Sequence, residues 1–242
     1  MSVSVIIPVF NEEQAIEDCL IQLDALKERP LEVIVVDGGS TDKTLNIARD
    51  FDCIIFECPT KGRANQLDFA ARKAKGDVLC FLHADTKPHQ DLVPLVVETL
   101  KDEGVVLGAF RSIMKGKKVR RVISAHNYIK TYYAPFFFNP YKTLFKGLRL
   151  LFGDQVMFCR KQDYLNSGGF DLEEEVMEEA AFCLRMNKLG RIRQLNQKVY
   201  SSDRRVVEWG VLKAHFIYIA ICTGWGWGVS SKKLAKLYPD IR

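Results

Sequence analysis

The clearest gap in this sequence is one of charge. The fifty residues from 104 to 153 contain no aspartate or glutamate, although they hold ten lysines and arginines. The rest of the chain is left with 25 basic and 30 acidic residues. A block of one sign creates a positive surface field that attracts anions. The alternative interpretation is a solvated face whose charges have no partner.

Several patterns that would assign a function at once are also missing. The turn after the first predicted strand, residues 8–12, has no G-x-G-x-x-G, and no Walker A motif occurs, which argues against the usual dinucleotide and P-loop sites. The seven cysteines include no CxxC pair, so we expect buried thiols in a reducing compartment, not disulfides or a zinc site. The opening residues MSVSVIIPVF lack the features of a secretory signal, and we expect a cytoplasmic protein.

Up to residue 110 the chain alternates apolar strand patterns with amphipathic helix patterns. The predicted helices span residues 12–27, 62–74 and 92–100. The predicted strands span residues 3–9, 33–36, 53–57, 78–82 and 105–110. Strands that are apolar on both faces indicate an α/β fold, with a mostly parallel sheet sandwiched by helices. The later part of the chain is basic, aromatic and predicted to be largely helical.

Polar residues follow the predicted strands where a parallel sheet binds its ligands. Asp85, beside His83, can hold a divalent cation that in turn holds a diphosphate, or it can be a simple turn residue. Asp37 can accept a hydrogen bond from a base or ribose, with Gly39 giving clearance. Its alternative role is a turn that leads into the next helix, with Ser40 as the N-cap.

Two further charged groups are candidates for chemistry. Arg63 opens a predicted helix and can point its guanidinium toward a phosphate, or it can be an exposed charge in a first turn. The glutamates of residues 173–179 cluster at the start of a predicted helix that runs to Leu189. Repulsion between like charges can raise the pKa of one of them toward that of a general base. Stabilisation of acidic residues by the helix dipole is the simpler explanation of the cluster.

Seven short motifs occur in a fixed order between about residues 3 and 205. They are PVFNEE, VDGGSTD, KGRANQLD, GDVLCFLHADT, GDQ, GGF and MEE. This ordered set resembles family 2 glycosyltransferases of the GT-A fold, and within them a small bacterial subgroup with DGGSTD, GRxxQ and HADT motifs. The resemblance implies an inverting glycosyltransferase that moves a sugar from a nucleotide-diphosphate donor to an acceptor hydroxyl. It also implies a divalent cation, Mn or Mg.

The resemblance assigns roles to individual residues. Glu179 would be the general base, with Glu178 before it, and Asp85 would be the metal-binding residue. The nucleotide sugar would be bound by Pro8, Glu12, Asp37, Gly39, Arg63, Gln66 and Asp85. The transferred sugar or the acceptor would face Asp154, Gln155, Arg204 and Arg205. Residues 1–110 would then be the nucleotide-sugar-binding half, and residues 111–242 the acceptor-side half of the same single domain.

Two departures from the family pattern leave an alternative open. The metal motif has His83 where the family has a carboxylate, and the base is Glu179 where the family usually has aspartate. A catalytically weak or inactive nucleotide-sugar-binding protein of the same fold is therefore the second hypothesis. A nucleotidyltransferase would need a Gly-rich basic loop after the first strand, which is absent.

The acid-free segment suggests what the acceptor is. Its aromatic residues are interleaved with lysines and arginines, a composition that suits a membrane interface or a lipid-linked phosphate. We therefore expect a lipid-linked acceptor and peripheral contact with the inner face of the membrane through residues 111–152. The alternative is a helical lid or a dimer contact. A nucleic-acid partner is not expected, because no RNP motif or strand pattern presents the aromatic residues for stacking.

Overall fold

The computed structural model describes residues 1–238, and strands alternate with helices through the first hundred of them. The strands are β1 (Val3–Val9), β2 (Glu32–Asp37), β3 (Ile54–Glu57), β4 (Val78–Phe81), β5 (Thr86–Lys87), β6 (Val105–Met114), β7 (Met157–Arg160) and β8 (Arg191–Ser201). The helices are α1 (Ile16–Asp24), α2 (Thr44–Ala48), α3 (Arg63–Lys73), α4 (Leu92–Leu100), α5 (Arg121–Phe138), α6 (Pro140–Phe145), α7 (Lys161–Ser167), α8 (Glu178–Met186), α9 (Arg204–Trp209), α10 (Val211–Gly226) and α11 (Ser231–Ala235). A short 3-10 turn, Gly153–Gln155, precedes β7.

The eight strands form one sheet in the order β3-β2-β1-β4-β7-β6-β8-β5. β1 is parallel to β2 and β4, β2 to β3, and β6 to β8. β7 is antiparallel to both β4 and β6, and β5 is antiparallel to β8. The sheet is therefore mostly parallel, as the sequence predicts. The proposed halves 1–110 and 111–242 both contribute strands to it, so they share one sheet.

Helices cover both faces of this sheet. On one face, α3 and α8 pack Leu67 and Phe182 into a core that includes Ile6 of β1. On the other, α1 packs Leu20 against Val5 of the same strand. Successive residues of a strand point to opposite faces, so an uninterrupted apolar strand is buried on both sides. Burial of one such aliphatic side chain is worth about 1.5–3 kcal/mol.

The start of helix α2 differs from the sequence expectation. Ser40 is not its N-cap, because the hydroxyl of Ser40 donates to the Asp37 carboxylate and accepts a hydrogen bond from the Asn11 amide. The helix begins at Thr44, whose amide and hydroxyl both donate to Asp42. The segment between β2 and α2 is thus a loop fixed by side-chain hydrogen bonds.

The second half of the chain is rich in helices, as predicted. α5 and α10 lie side by side, with Ile123 packed near Ala214 and the rings of His126 and His215 at 4.2 Å between centroids. Across residues 1–238, no helix has both the length and the apolar character that crossing a bilayer would require. α8 begins at Glu178, several residues later than the acidic cluster suggested.

Candidate active site

A cavity of about 560 Å³ opens at the carboxyl ends of β1 and β4. Residues that follow these strands form its base, and side chains of α5 and α10 form the opposite wall. Ten of the thirteen residues predicted for the site line it: Pro8, Glu12, Arg63, Gln66, Asp85, Asp154, Glu178, Glu179, Arg204 and Arg205. The fold therefore brings to one place residues that are separated by up to almost 200 positions in sequence.

Three predicted residues do not line the cavity. The Asp37 carboxylate is buried and accepts hydrogen bonds from the amides of Gly39 and Ser40, which is the turn role considered as its alternative. Gly39 has φ of 95°, a value that favours glycine, and a Cβ there would meet no atom. Gln155 is fully buried and donates to Thr131. Roles for these three in ligand binding stay predictions.

Gln66 lines the cavity but has a structural task as well. Its side-chain amide donates to the carbonyl oxygens of Val9 and Val36 at 2.7 and 2.8 Å. These carbonyls lie at the ends of β1 and β2, so Gln66 fixes the two strand ends relative to α3. A Cβ on Gly38 would meet the Gln66 amide at 3.0 Å, which explains the glycine at that position.

Arg204 joins the two acidic residues at the strand ends. Its guanidinium donates to both oxygens of Glu12 at 2.8 and 2.9 Å and lies 3.2 Å from Asp85. Pairing of β5 with the end of β8 places Arg204 there, because Thr86 is opposite Ser201. Burial raises the pKa of Asp85, and Arg204 opposes the shift.

Arg63 contacts Glu178 and Glu179, as Arg204 contacts Glu12 and Asp85. Its guanidinium lies 3.4 Å from Glu178 and 3.6 Å from Glu179, at the N-terminus of α8. Burial, and then the charge of Glu179, raise the pKa of Glu178 to about 8. A carboxyl group with such a pKa can exchange protons near neutral pH.

Gly153 allows the loop before β7 to approach this centre. A Cβ on Gly153 would lie 2.3 Å from Nε2 of His83 and 2.6 Å from Oε1 of Glu179, so only glycine fits. His83, Glu179 and the Gly153 backbone are thus in close packing. Burial, together with Arg63 and two other arginines, lowers the pKa of His83 well below its usual range, so its imidazole is neutral.

The structure adds residues that the motifs did not indicate. Lys130 lines the cavity from α5, with its ammonium 3.6 Å from the centroid of the Phe152 ring. Asn127, one turn earlier, donates to the Asp154 carboxylate at 2.7 Å. Helical spacing was the available signal, because Ile123, Asn127 and Lys130 recur at intervals of four and three residues and share the buried face of α5.

The carboxylates of the cavity fit a cation that arrives together with a diphosphate. In residues 1–238 no three His, Cys, Asp or Glu side chains group closely enough to hold a metal ion alone. Asp85 and Glu12 offer hard oxygen ligands, and both already contact Arg204. Mg²⁺ commonly takes one or two carboxylates from a protein and its other ligands from substrate phosphates and water. Asp85 and Glu12 could supply these protein carboxylates, and a bound diphosphate could supply the phosphate oxygens.

Comparison with known proteins gives sequence relatives that share part of the chain. A glycosyltransferase AglE of Haloferax volcanii is 36% identical over 113 residues, which cover 43% of this chain and 37% of that protein. A dolichol-phosphate mannosyltransferase of Pyrococcus furiosus is 29% identical over 123 residues, covering 48% and 35%. The chain thus spans only about a third of the length of these curated relatives.

Solved structures match over nearly the whole chain. The mannosyltransferase PcManGT of Pyrobaculum calidifontis, in complex with GDP-Man and Mn²⁺, gives a TM-score of 0.68 at 21% identity and covers 99% of this chain and 65% of its own. Glucosyl-3-phosphoglycerate synthase of Mycobacterium tuberculosis, in complex with Mn²⁺, UDP and glucosyl-3-phosphoglycerate, gives 0.65 at 21% identity and covers 94% and 80%. These likenesses confirm the expected GT-A fold.

The family model described as "Glycosyl transferase family 2" matches residues 4–165, which is more than half of the chain. The match includes the strand ends that supply Glu12 and Asp85 and the helix that supplies Arg63. The chain belongs to glycosyl transferase family 2.

Proposed function

We propose that this protein transfers a glycosyl group, with inversion, from a nucleotide-diphosphate sugar to an acceptor hydroxyl. The observation that carries the proposal is the single cavity in which Glu12, Asp85, Arg63 and Glu179 meet. The family match supports glycosyl transfer, and the GDP-Man and UDP in the structural relatives support a nucleotide donor.

In the proposed reaction Glu179 accepts the proton of the acceptor hydroxyl. The acceptor oxygen forms a bond to the anomeric carbon on the face opposite the diphosphate, and the bond from that carbon to the diphosphate oxygen breaks. The products are the glycosylated acceptor and a nucleoside diphosphate. General-base assistance of this kind is worth about 10²–10⁴-fold in rate. Arg63, 3.6 Å from Glu179, keeps the base oriented and can face the departing charge.

The donor side of the cavity has the groups that a cation-bound diphosphate requires. Asp85, with Glu12 beside it, would hold a Mn or Mg ion, and such an ion offsets negative charge on the leaving group. Arg204 would then give up Asp85 and become available to a phosphate oxygen. Because the guanidinium is planar with several donors, it suits phosphate as well as carboxylate.

A nucleoside diphosphate release assay tests this proposal. The protein is incubated with a panel of nucleotide sugars and with glycerol 3-phosphate as an acceptor, with and without manganese, and the anomeric configuration of the glycosylated product is determined by NMR. Glu179→Gln should lower kcat by about 10²–10⁴-fold at saturating donor while leaving the melting temperature near that of the wild type.

Glu173→Gln is the matched control, because Glu173 belongs to the same acidic cluster but is 87% exposed. Near-native turnover of Glu179→Gln would contradict the assignment of the base. Binding of a nucleotide sugar without any release of nucleoside diphosphate would instead favour the inactive binding protein of the same fold.

We also propose that an anionic bilayer binds the surface formed by α5, α6 and α10. Phe137 of α5, Phe145 of α6 and Phe216 of α10 are 72–73% exposed, and Leu212 of α10 is 87% exposed. Helix α5 contacts both α6 and α10, and we call the exposed apolar residues of these three helices the aromatic face. The basic residues of 111–152 add charge complementarity, worth about 1 kcal/mol per residue near an anionic leaflet.

Sedimentation with vesicles tests the membrane contact. Vesicles that contain phosphatidylglycerol should bind the protein at low salt, and phosphatidylcholine vesicles should bind it much less. The double variant Phe137→Ser/Phe145→Ser should lose binding, whereas Leu31→Ser, at an exposed site outside the aromatic face, should retain it. Equal sedimentation of wild type and double variant would contradict the proposal. The seven free cysteines favour a reducing compartment, so we place this contact on the cytoplasmic leaflet.

A further inference from the structure

Lys130 is a buried cation that forms no ion pair with any described residue, although the charges of Asp154 and Glu179 act on it from farther away. Its side chain lies on α5 and the residue is only 9% exposed. In the described part of the chain, residues 1–238, no hydrogen bond or ion pair involves its ammonium group. Burial of an ammonium away from water is strongly unfavourable unless a charge or hydrogen bonds compensate for it. The stability of the fold therefore does not explain a lysine at this position.

Two aromatic rings lie close to this ammonium group. The centroid of the Phe152 ring lies at 3.6 Å and that of the Tyr218 ring at 5.8 Å. Cation–π contacts stabilise an ammonium less than complete dehydration destabilises it. Burial lowers the pKa of Lys130, and the charges of Cys222, Asp154 and Glu179 partly oppose that shift. The Asp154 carboxylate itself accepts a hydrogen bond from Asn127, so it is directed to another residue.

A second cation in the same cavity shares this condition. The Nε atom of Arg205 is buried without a hydrogen-bond partner, and its guanidinium lies over the ring of Tyr238 at 4.6 Å. The rings of Tyr218 and Tyr238 are 6.3 Å apart, so two tyrosines connect the two cations. Arg63 and Arg204, by contrast, each contact two carboxylates. The cavity thus contains a part whose cations are paired and a part whose cations are not.

We propose that Lys130 and Arg205 bind a negatively charged group of the acceptor, and that this group is a phosphate. The proposal rests on the proposed function, since it names the chemical class of the acceptor. Two unpaired cations match a dianion, and tyrosine hydroxyls beside them can donate to phosphate oxygens. Glu179 lines the same cavity, so an acceptor held in this way presents a hydroxyl to the base.

Binding of inorganic phosphate tests the site directly. The wild-type chain, Lys130→Met and the control Lys213→Met are titrated with phosphate, with the donor side filled by a nucleoside diphosphate and manganese. Lys213 is an exposed lysine of α10, so its variant makes the same charge change outside the cavity. Lys130→Met should weaken phosphate binding at least tenfold, and Lys213→Met should not change it.

The melting temperature distinguishes a ligand-binding role from a structural one. Lys130→Met keeps most of the length of the side chain and removes a buried charge that has no ion pair among the described residues, so the melting temperature should rise, by about 3 °C or more. A structural lysine would give the opposite sign. Equal phosphate affinity in wild type and Lys130→Met, or a lower melting temperature in the variant, would overturn the proposal.

Two probes identify the source of the phosphate. Glycerol 3-phosphate presents it in solution, and phosphatidic acid in detergent micelles presents it on a lipid. The probe whose binding depends on Lys130 is the relevant class, and binding of both without such dependence would refute the site. Absence of nucleotide-sugar binding in the wild type would refute the proposed function alone, because phosphate binding at Lys130 can also be measured without nucleotide.

Discussion

Replacement of Glu178 by glutamine should change how the stability of the protein depends on pH. Burial first, and then the charge of Glu179, raise the pKa of Glu178 to about 8, although Arg63 lies 3.4 Å away. The ordinary pKa of this carboxyl group is 4.5. Because the folded pKa is the higher one, the contribution of Glu178 to stability is fully present below about pH 4.5 and is lost as the pH rises through about 8.

The expected magnitude follows from the interval between the two titrations. From about pH 5 to about pH 8 the folded state keeps a proton that the unfolded chain has released, which costs on the order of 2–4 kcal/mol. For a chain of this length that corresponds to about 5–10 °C in melting temperature. Glutamine cannot ionise, so the stability of Glu178→Gln should not decrease in this way as the pH rises.

The assay is a series of thermal denaturation curves for both proteins across this pH range. The quantity of interest is the difference in melting temperature between them, because other titrating groups affect both proteins alike. That difference should grow by about 5–10 °C in favour of Glu178→Gln as the pH rises. Glu103→Gln, at an exposed position, should show no such trend. A difference that stayed constant across the range would refute the inference that Glu178 is buried and protonated.

Two more predictions concern the donor side of the cavity and the sheet. Arg204→Met removes the partner of a partly buried Asp85 and should cost about 1–3 kcal/mol, less than for a fully buried pair. Manganese together with a nucleoside diphosphate should restore more of the melting temperature of this variant than the same mixture adds to the wild type, and equal increments would contradict the cation assignment. Gly108→Ala would place a Cβ 2.3 Å from the buried Phe158 ring and should cost about 1–3 kcal/mol in urea denaturation. An unchanged denaturation midpoint would show that the ring can move aside.

The α/β part of the fold was predictable from local patterns. Strand β1, predicted over residues 3–9, spans Val3–Val9, and α4, predicted over residues 92–100, spans Leu92–Leu100. These elements were predictable because a strand buried on both faces and a helix with one apolar face leave different periodicities in the sequence. Element ends were less certain, as α2 and α8 show. The start of α2 depends on side-chain hydrogen bonds, such as that of Ser40 with Asp37, and the start of α8 follows the left-handed backbone of Met177; periodicity records neither.

Much of the candidate site was also predictable, since the carboxyl ends of parallel strands meet at one edge. The pairing of its charges was not. Arg204 and Glu12 are 192 positions apart, and only the placement of β5 beside β8 brings them into contact. The Asp37 carboxylate, in contrast, accepts hydrogen bonds from Gly39 and Ser40, which are its neighbours in sequence.

By itself, the sequence determined the mostly parallel sheet, the family and which charged residues stand at the strand ends, because apolar periodicity and short motifs are properties of neighbouring residues. The tertiary structure alone decided which cations have partners and which do not. Lys130 is one of ten basic residues in an acid-free segment, and nothing local distinguishes it from the others. Its burial between α5, α10 and Phe152, with no carboxylate of the described chain at ion-pair distance, results from packing between distant elements. The energy of a charge depends on those surroundings, because dehydration and the distance to the nearest opposite charge set it.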